Sequence, residues 1–163
     1  MITLLKFIIS FLLISSATNA QTSKSEFTIS NTESFLNTES KAVKNFRRSH
    51  PNIMNETWRS DNGYYFVSFM QGNTKNKIAY TRDGKVDYSL KMYHENNLPY
   101  AVRNSIKSIY YDYKITDVQE LKVKNKTIYL VKITDTHTWR MIRFCNGDLE
   151  EIENYSTVIS PCR

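Results

Sequence analysis

The stretch "TRDGKVDYSL", Thr81–Leu90, has a counterpart later in the chain in "FCNGDLEEI", Phe144–Ile152. In each, a β-leaning run reaches Asp-Gly or Asn-Gly and a second run begins. Those dipeptides accept the positive φ angles that a tight two-residue hairpin needs. The interval from Asp83-Gly84 to Asn146-Gly147 is also the interval from Asn62 to Asn125. Working outward, strands are expected at Ile53–Arg59, Tyr64–Gln71, Lys77–Arg82 and Val86–Tyr93, with turns at Asn62-Gly63, Gly72-Asn73 and Asp83-Gly84. A second set is expected at Ile115–Val123, Thr127–Thr134, Thr138–Phe144 and Leu149–Tyr155.

A helical pattern precedes each set. "SKAVKNFRRSHP" (Ser40–Pro51) puts Ala42, Val43 and Phe46 on one side, with Lys41, Lys44, Arg47 and Arg48 largely on another. Pro51 stops it, because the residue before a proline is pushed out of helical geometry. "LPYAVRNSIKSIYYDY" (Leu98–Tyr113) aligns Leu98, Val102, Ile106, Ile109 and Tyr113, and Ala101–Asn104 echoes Ala42–Asn45. The expected fold is therefore α+β: a tandem repeat of a helix followed by a four-stranded antiparallel meander, with the helices packed on one face of the sheet.

The ends set the address. Lys6, the apolar run "FIISFLLI" (Phe7–Ile14) and small residues up to Ala20 have the layout of a secretory signal peptide cleaved after Ala20. The run is shorter than the roughly 20 apolar residues that span a bilayer, so no transmembrane segment is expected after cleavage. Residues 21–39 are rich in Ser, Thr and Asn and read as a flexible tether. Residues 40–163 then form a single domain of two halves, 40–93 and 98–155, plus a C-terminal tail. The expected location is secreted or periplasmic. There, Cys145 and Cys162 are expected to pair and tie the tail to the Asn146-Gly147 hairpin, a loop closure worth roughly 3 kcal/mol.

The residues "AVKNFRRSHP", followed by Trp58, a Tyr- and Phe-rich strand and "YTRDGKV", resemble the first half of PepSY-like domains of bacterial envelopes, the β-lactamase-inhibitor-like proteins. "LPYAVRNSIKSIYYDYKI" is similar to that family's second helix, and the likeness covers about Ser40 to Tyr155. It implies paired helix-and-sheet halves, an extracytoplasmic location and a binding role without catalytic residues. His50 stands before Pro51 where the family more usually has an aromatic.

Chemistry is sparse. The three histidines, His50, His94 and His137, have no ligand spacing, so no metal site is expected. Nucleophile, phosphate-loop and dinucleotide motifs are absent from the sequence, and no enzyme activity or cofactor is expected. "DLEEIE" (Asp148–Glu153) reads as the solvated side of a last strand. The chain is basic, 22 Lys and Arg against 16 Asp and Glu, which favours acidic partners without naming one. Nucleic acid is disfavoured by export and by the lack of a recognition motif.

Two binding features remain. Lys122, Lys124 and Lys126 alternate along an expected strand and so point to one side, either as a docking strip for an anionic glycan or lipid surface or as a charged sheet edge. Trp58, Tyr64, Phe66, Tyr80 and Trp139 are candidates for a partner-binding sheet face, in keeping with a module that holds or inhibits an envelope protein such as a hydrolase. Core placement is the competing reading, because "YYFVSF" is apolar at nearly every position and its facing cannot be read from period.

Overall fold

The computed structural model describes residues 40–156. The expected signal peptide, the tether and Cys162 lie outside them. In chain order the elements are helix α1 (Lys41–Ser49), strands β1 (Thr57–Asp61), β2 (Tyr64–Gln71), β3 (Thr74–Tyr80) and β4 (Val86–Tyr93), a 3-10 turn at Glu95–Asn97 and helix α2 (Tyr100–Ile109). Strands β5 (Lys114–Val123), β6 (Lys126–Thr134), β7 (Thr138–Cys145) and β8 (Asp148–Ser156) follow. The Asn-Gly corners turn as their chemistry requires: Asn62 and Gly63 have φ of 48° and 81°, and Asn146 and Gly147 have 53° and 90°.

The expected tandem repeat of helix-plus-four-strand units is corrected. Among the described residues all eight strands form one antiparallel sheet in the order β1 to β8, accompanied by two short helices. The boundary imagined between two halves is a regular ladder, with Tyr88–Tyr93 of β4 paired to Val118–Val123 of β5. Leu90 and Leu121 face each other there and are both buried. A ladder with buried side chains continues a sheet, so the strands of 40–93 and those of 98–155 belong to one sheet.

Register decides which side chains share a face. Trp58, Val67 and Ile78 are in line across β1–β3, and Ile78 opposes Ser89 of β4. Tyr93 stands on Ser89's face by alternation and is in line with Val118, Val131 and Ile142 of β5–β7. Both apolar clusters therefore lie on one face, and each has a helix over it. Ala42 and Phe46 of α1 pack with Trp58, Val67, Phe69, Ile78 and Tyr80. Val102 and Ile106 of α2 pack with Val118, Val131, Ile133 and Ile142. Phe46 and Ile106 are fully buried, each stabilising the fold by about 1.5–3 kcal/mol relative to exposure.

The helices are held differently. The Ser40 hydroxyl caps α1 by accepting the Val43 N–H at 3.3 Å, and the Asn45 side-chain amide donates to the Gly84 carbonyl at 2.8 Å. Gly84 has φ of 77°, and a Cβ there would stand 2.7 Å from the Lys41 carbonyl carbon. Only glycine lets the β3–β4 turn come this close to α1. Helix α2 has Pro99 as its N-cap residue, with no side-chain capping bond, and an ion pair from Arg103 to Glu95 at 2.6 Å. Ile109, expected on the apolar face, is 59% exposed, because the chain leaves the helix at Tyr110 and Tyr113 reaches the core from beyond it.

Candidate partner-binding face

The face away from the helices is built from the alternate residues of the same strands. Across its first edge, Arg59, Phe66, Ala79 and Tyr88 are in line. The Tyr64 and Phe66 rings stack at 6.3 Å, and the Arg59 guanidinium lies 5.2 Å from the Phe66 ring centre. Across the far edge, Trp139 is in line with Thr134 and Tyr155. Its indole stacks on Tyr155 at 4.5 Å and carries the Lys132 ammonium 4.8 Å from its centre. Tyr64 and Tyr155 are 41% and 51% exposed. Between the edges, Ala79, Leu90, Leu121 and Leu130 are buried.

Charge on this face is mixed. The Lys77 ammonium is held below its usual range by burial first, then by the neighbouring charges of Lys75 and Arg59. Burial raises the Tyr88 hydroxyl. Arg143 pairs with Glu150 across β7 and β8. Two aromatic–cation ends of this kind can anchor a protein surface; no nucleophile–base pair stands among them.

The five aromatic candidates do not form one patch, and this is a correction. Trp58 and Tyr80, 9% and 2% exposed, lie under α1 on the helix face, where Trp58 meets Phe46 edge-on at 5.5 Å. Tyr64, Phe66 and Trp139 lie on the opposite face. The single-residue alternation of a strand separates them, and an all-apolar run conceals its phase. Tyr155, Arg59 and Lys132 complete the two ends and were missed; their only signal was a place in register beside Phe66 or Trp139.

The lysine strip is corrected as well. Lys124 and Asn125 form the two-residue β5–β6 turn, with Lys124 at φ 52°. Lys122 therefore points to the helix face, and Lys126, opposite Val123, points to the other. Cys145 stands at the end of β7, and its expected partner Cys162 lies outside the described residues.

The helix face has its own polar cluster beside α2. Arg140 donates from Nε to the Tyr113 hydroxyl at 2.9 Å and from Nη1 to Glu151 Oε2 at 2.6 Å, and the Tyr110 hydroxyl donates to the same oxygen at 3.1 Å. These bonds, Arg140's first, hold the Glu151 carboxyl below its usual range. In the β6–β7 loop, the backbone N–H groups of His137 and Thr138 donate to Asp135 Oδ1 at 2.7 and 2.6 Å and pull that carboxyl down to about 2. The cluster ties β7 and β8 to the end of α2. Among the described residues no three His, Cys, Asp or Glu side chains gather to hold a metal ion. Nor, among them, is any helix long and apolar enough to cross a membrane.

Several solved structures share this architecture. A DUF2874 family protein from Bacteroides ovatus superposes with a TM-score of 0.58 at 17% identity, over 72% of this chain and 86% of that one. The chain has the fold of that protein. A BLIP-like protein from Bacteroides fragilis matches with a TM-score of 0.56 at 17% identity, over 74% of this chain and 87% of its own. A Bacteroides eggerthii protein, provisionally described as periplasmic, matches with a TM-score of 0.56 at 16% identity, over 71% and 86%. No family model and no curated protein matches the chain. The resemblance read in the sequence is supported as a BLIP-like fold; its PepSY-like part has no counterpart among these neighbours.

Proposed function

We propose that the protein is a non-catalytic module of the periplasm or cell exterior that holds an envelope protein, such as a hydrolase, against the helix-free face of its sheet. The observation that carries this reading is the pair of aromatic–cation ends, Tyr64–Phe66–Arg59 and Trp139–Tyr155–Lys132, on that one face. Exposed aromatic and Arg side chains are what protein interfaces use as anchors. The leader-like residues 1–20 supply the export, and neighbours described as BLIP-like and as periplasmic are in keeping with it. Pairing of Cys145 with Cys162 belongs to the same reading, and intact mass before and after reduction checks it.

The test is capture of a partner from envelope extract by immobilised protein, washed at low and high salt. Phe66→Ala and Trp139→Ala should each release the partner while circular dichroism stays unchanged. Retention at high salt is expected, because aromatic burial is not screened as exposed charge contacts are. A partner retained equally by both variants would overturn the assignment of this face.

A further inference from the structure

The two helices leave a gap on their own face. Helix α1 covers β1–β3 and α2 covers β5–β7, so the strip centred on β4 lies between them. There the face turns from apolar to polar, with Asn76, Asp87, Ser89, Lys91 and Lys122 in place of aliphatic side chains. A cleft of about 450 Å³ opens at this strip, against the C-terminal end of α1. Phe69, Ile78 and Tyr80, all buried, form one wall; Lys91, Lys122 and Lys124 stand on the other side, with Asp87 as the one acidic group in the lining.

We propose that this cleft binds a small organic anion, an acid group carried on a ring or sugar body. Lys122 opposes Ser89 in the β4–β5 ladder, and Lys91 is the next residue of β4 on that face, so the two lysines are diagonal neighbours. Among the described residues neither they nor Lys124 makes an ion pair. Glu120 opposes Lys91, but its carboxylate accepts the Tyr93 hydroxyl at 2.7 Å, on the side nearer α2. Like charges gathered at a concave site cost energy unless an anion neutralises them.

A second observation comes from His50, which lines the same cleft. Its ring lies between Phe46, stacked at 4.8 Å, and Phe69, edge-on at 5.2 Å. Its Nδ1 is buried, yet has no hydrogen-bond partner among the described residues. A buried polar atom without a partner is costly, and a bound group or water in the cleft beside it is one way to satisfy it. The negative end of the α1 dipole opposes an anion here, and Arg47 and Arg48 in the last turn offset it. An apolar wall facing a few convergent polar groups, in a cavity of this size, has the make-up of a small-molecule site. The site lies on the opposite side of the sheet from the proposed protein-binding face, so either can fail without the other.

The experiment is a titration of the isotopically labelled, purified protein, followed by backbone and side-chain NMR. Probes are glucuronate and glucose 6-phosphate, with glucose and inorganic phosphate as controls. The expected result is saturable shifts at His50, Asn76, Ser89 and Lys122 with both sugar acids. Binding should be weaker by roughly tenfold in the Lys91→Gln/Lys122→Gln double variant, the combined effect of two exposed charge contacts, and unchanged in Lys126→Gln. No saturable shift at these residues, or equal affinity for glucose, would overturn the anion site. Inorganic phosphate bound as tightly as glucose 6-phosphate would overturn the role given to the Phe69–Tyr80 wall.

Discussion

The core beneath α1 and the core beneath α2 lie on the same face of one sheet but are made differently. Under α1 the cluster is aromatic: Phe46 meets Trp58 and Phe69 edge to face, and Tyr80 lies tilted against Trp58, around Val67 and Ile78. Under α2 it is mainly aliphatic: Val102, Ile106, Val118, Val131, Ile133 and Ile142, bordered by Tyr113 and the Arg140–Glu151 cluster. Aromatic rings gain from a specific mutual geometry, whereas aliphatic packing is set mostly by volume. The α1 end therefore depends on how its helix is placed, and that placement rests on the Gly84 contact and the Asn45 bond. The α2 end depends on filling, with its borders fixed by charge-assisted hydrogen bonds.

This contrast can be broken. Phe46→Ala should be the most damaging substitution, costing about 3–5 kcal/mol in denaturant unfolding, because it empties the centre of the aromatic cluster. It should also red-shift the emission of Trp58 while that of Trp139, on the other face, stays as it was. Ile106→Ala should cost about 2–5 kcal/mol but leave Trp58 emission unchanged. If both substitutions disturbed Trp58 equally, the two clusters would behave as one.

A smaller effect sharpens the point about placement. Gly84→Ala adds a single methyl group far from either cluster centre, yet it meets the Lys41 backbone at a φ that disfavours any side chain. A loss of about 1–3 kcal/mol is expected, and Asn45→Ala in the same background should add little, since both act on the one contact. Full additivity would mean the turn and α1 are not coupled.

The smallest effect concerns acid. Asp135 has its folded value depressed to about 2, so the stability it contributes is present above the ordinary carboxylate range and is lost as pH falls toward that value. The lowered Glu151 acts in the same direction. Asp135→Asn should therefore flatten the fall of the thermal midpoint between about pH 4 and about pH 2, compared with the unaltered protein. An identical slope in both would remove Asp135 from the account.

What the sequence disclosed follows the range of each signal. Asn62-Gly63 and Asn146-Gly147 are local chemistry, and both turns form where the dipeptides stand. The β5–β6 turn has no glycine; Lys124 takes the positive φ itself, so the three lysines looked like one strand and were placed on one side. The β4–β5 ladder joins strands whose connection runs through 94–113, and no local signal encodes it. The repeated turn pattern therefore suggested two units where the chain makes a single sheet. The facing of Tyr64 and Phe66 was hidden because YYFVSF is apolar at nearly every position, and the face that Trp58 and Tyr80 share follows only from their register with that strand. The cleft was equally illegible: Lys91, Lys122 and His50 meet only through register and the end of α1.

The most direct test of the binding face is hydroxyl-radical footprinting of the protein before and after incubation with envelope extract, read at exposed side chains on both faces. The account predicts protection of Tyr64, Met70 and Tyr155, with Tyr100 and Tyr111 oxidised as before. Protection of Tyr100 and Tyr111 instead, or no change at any of the five, would contradict it.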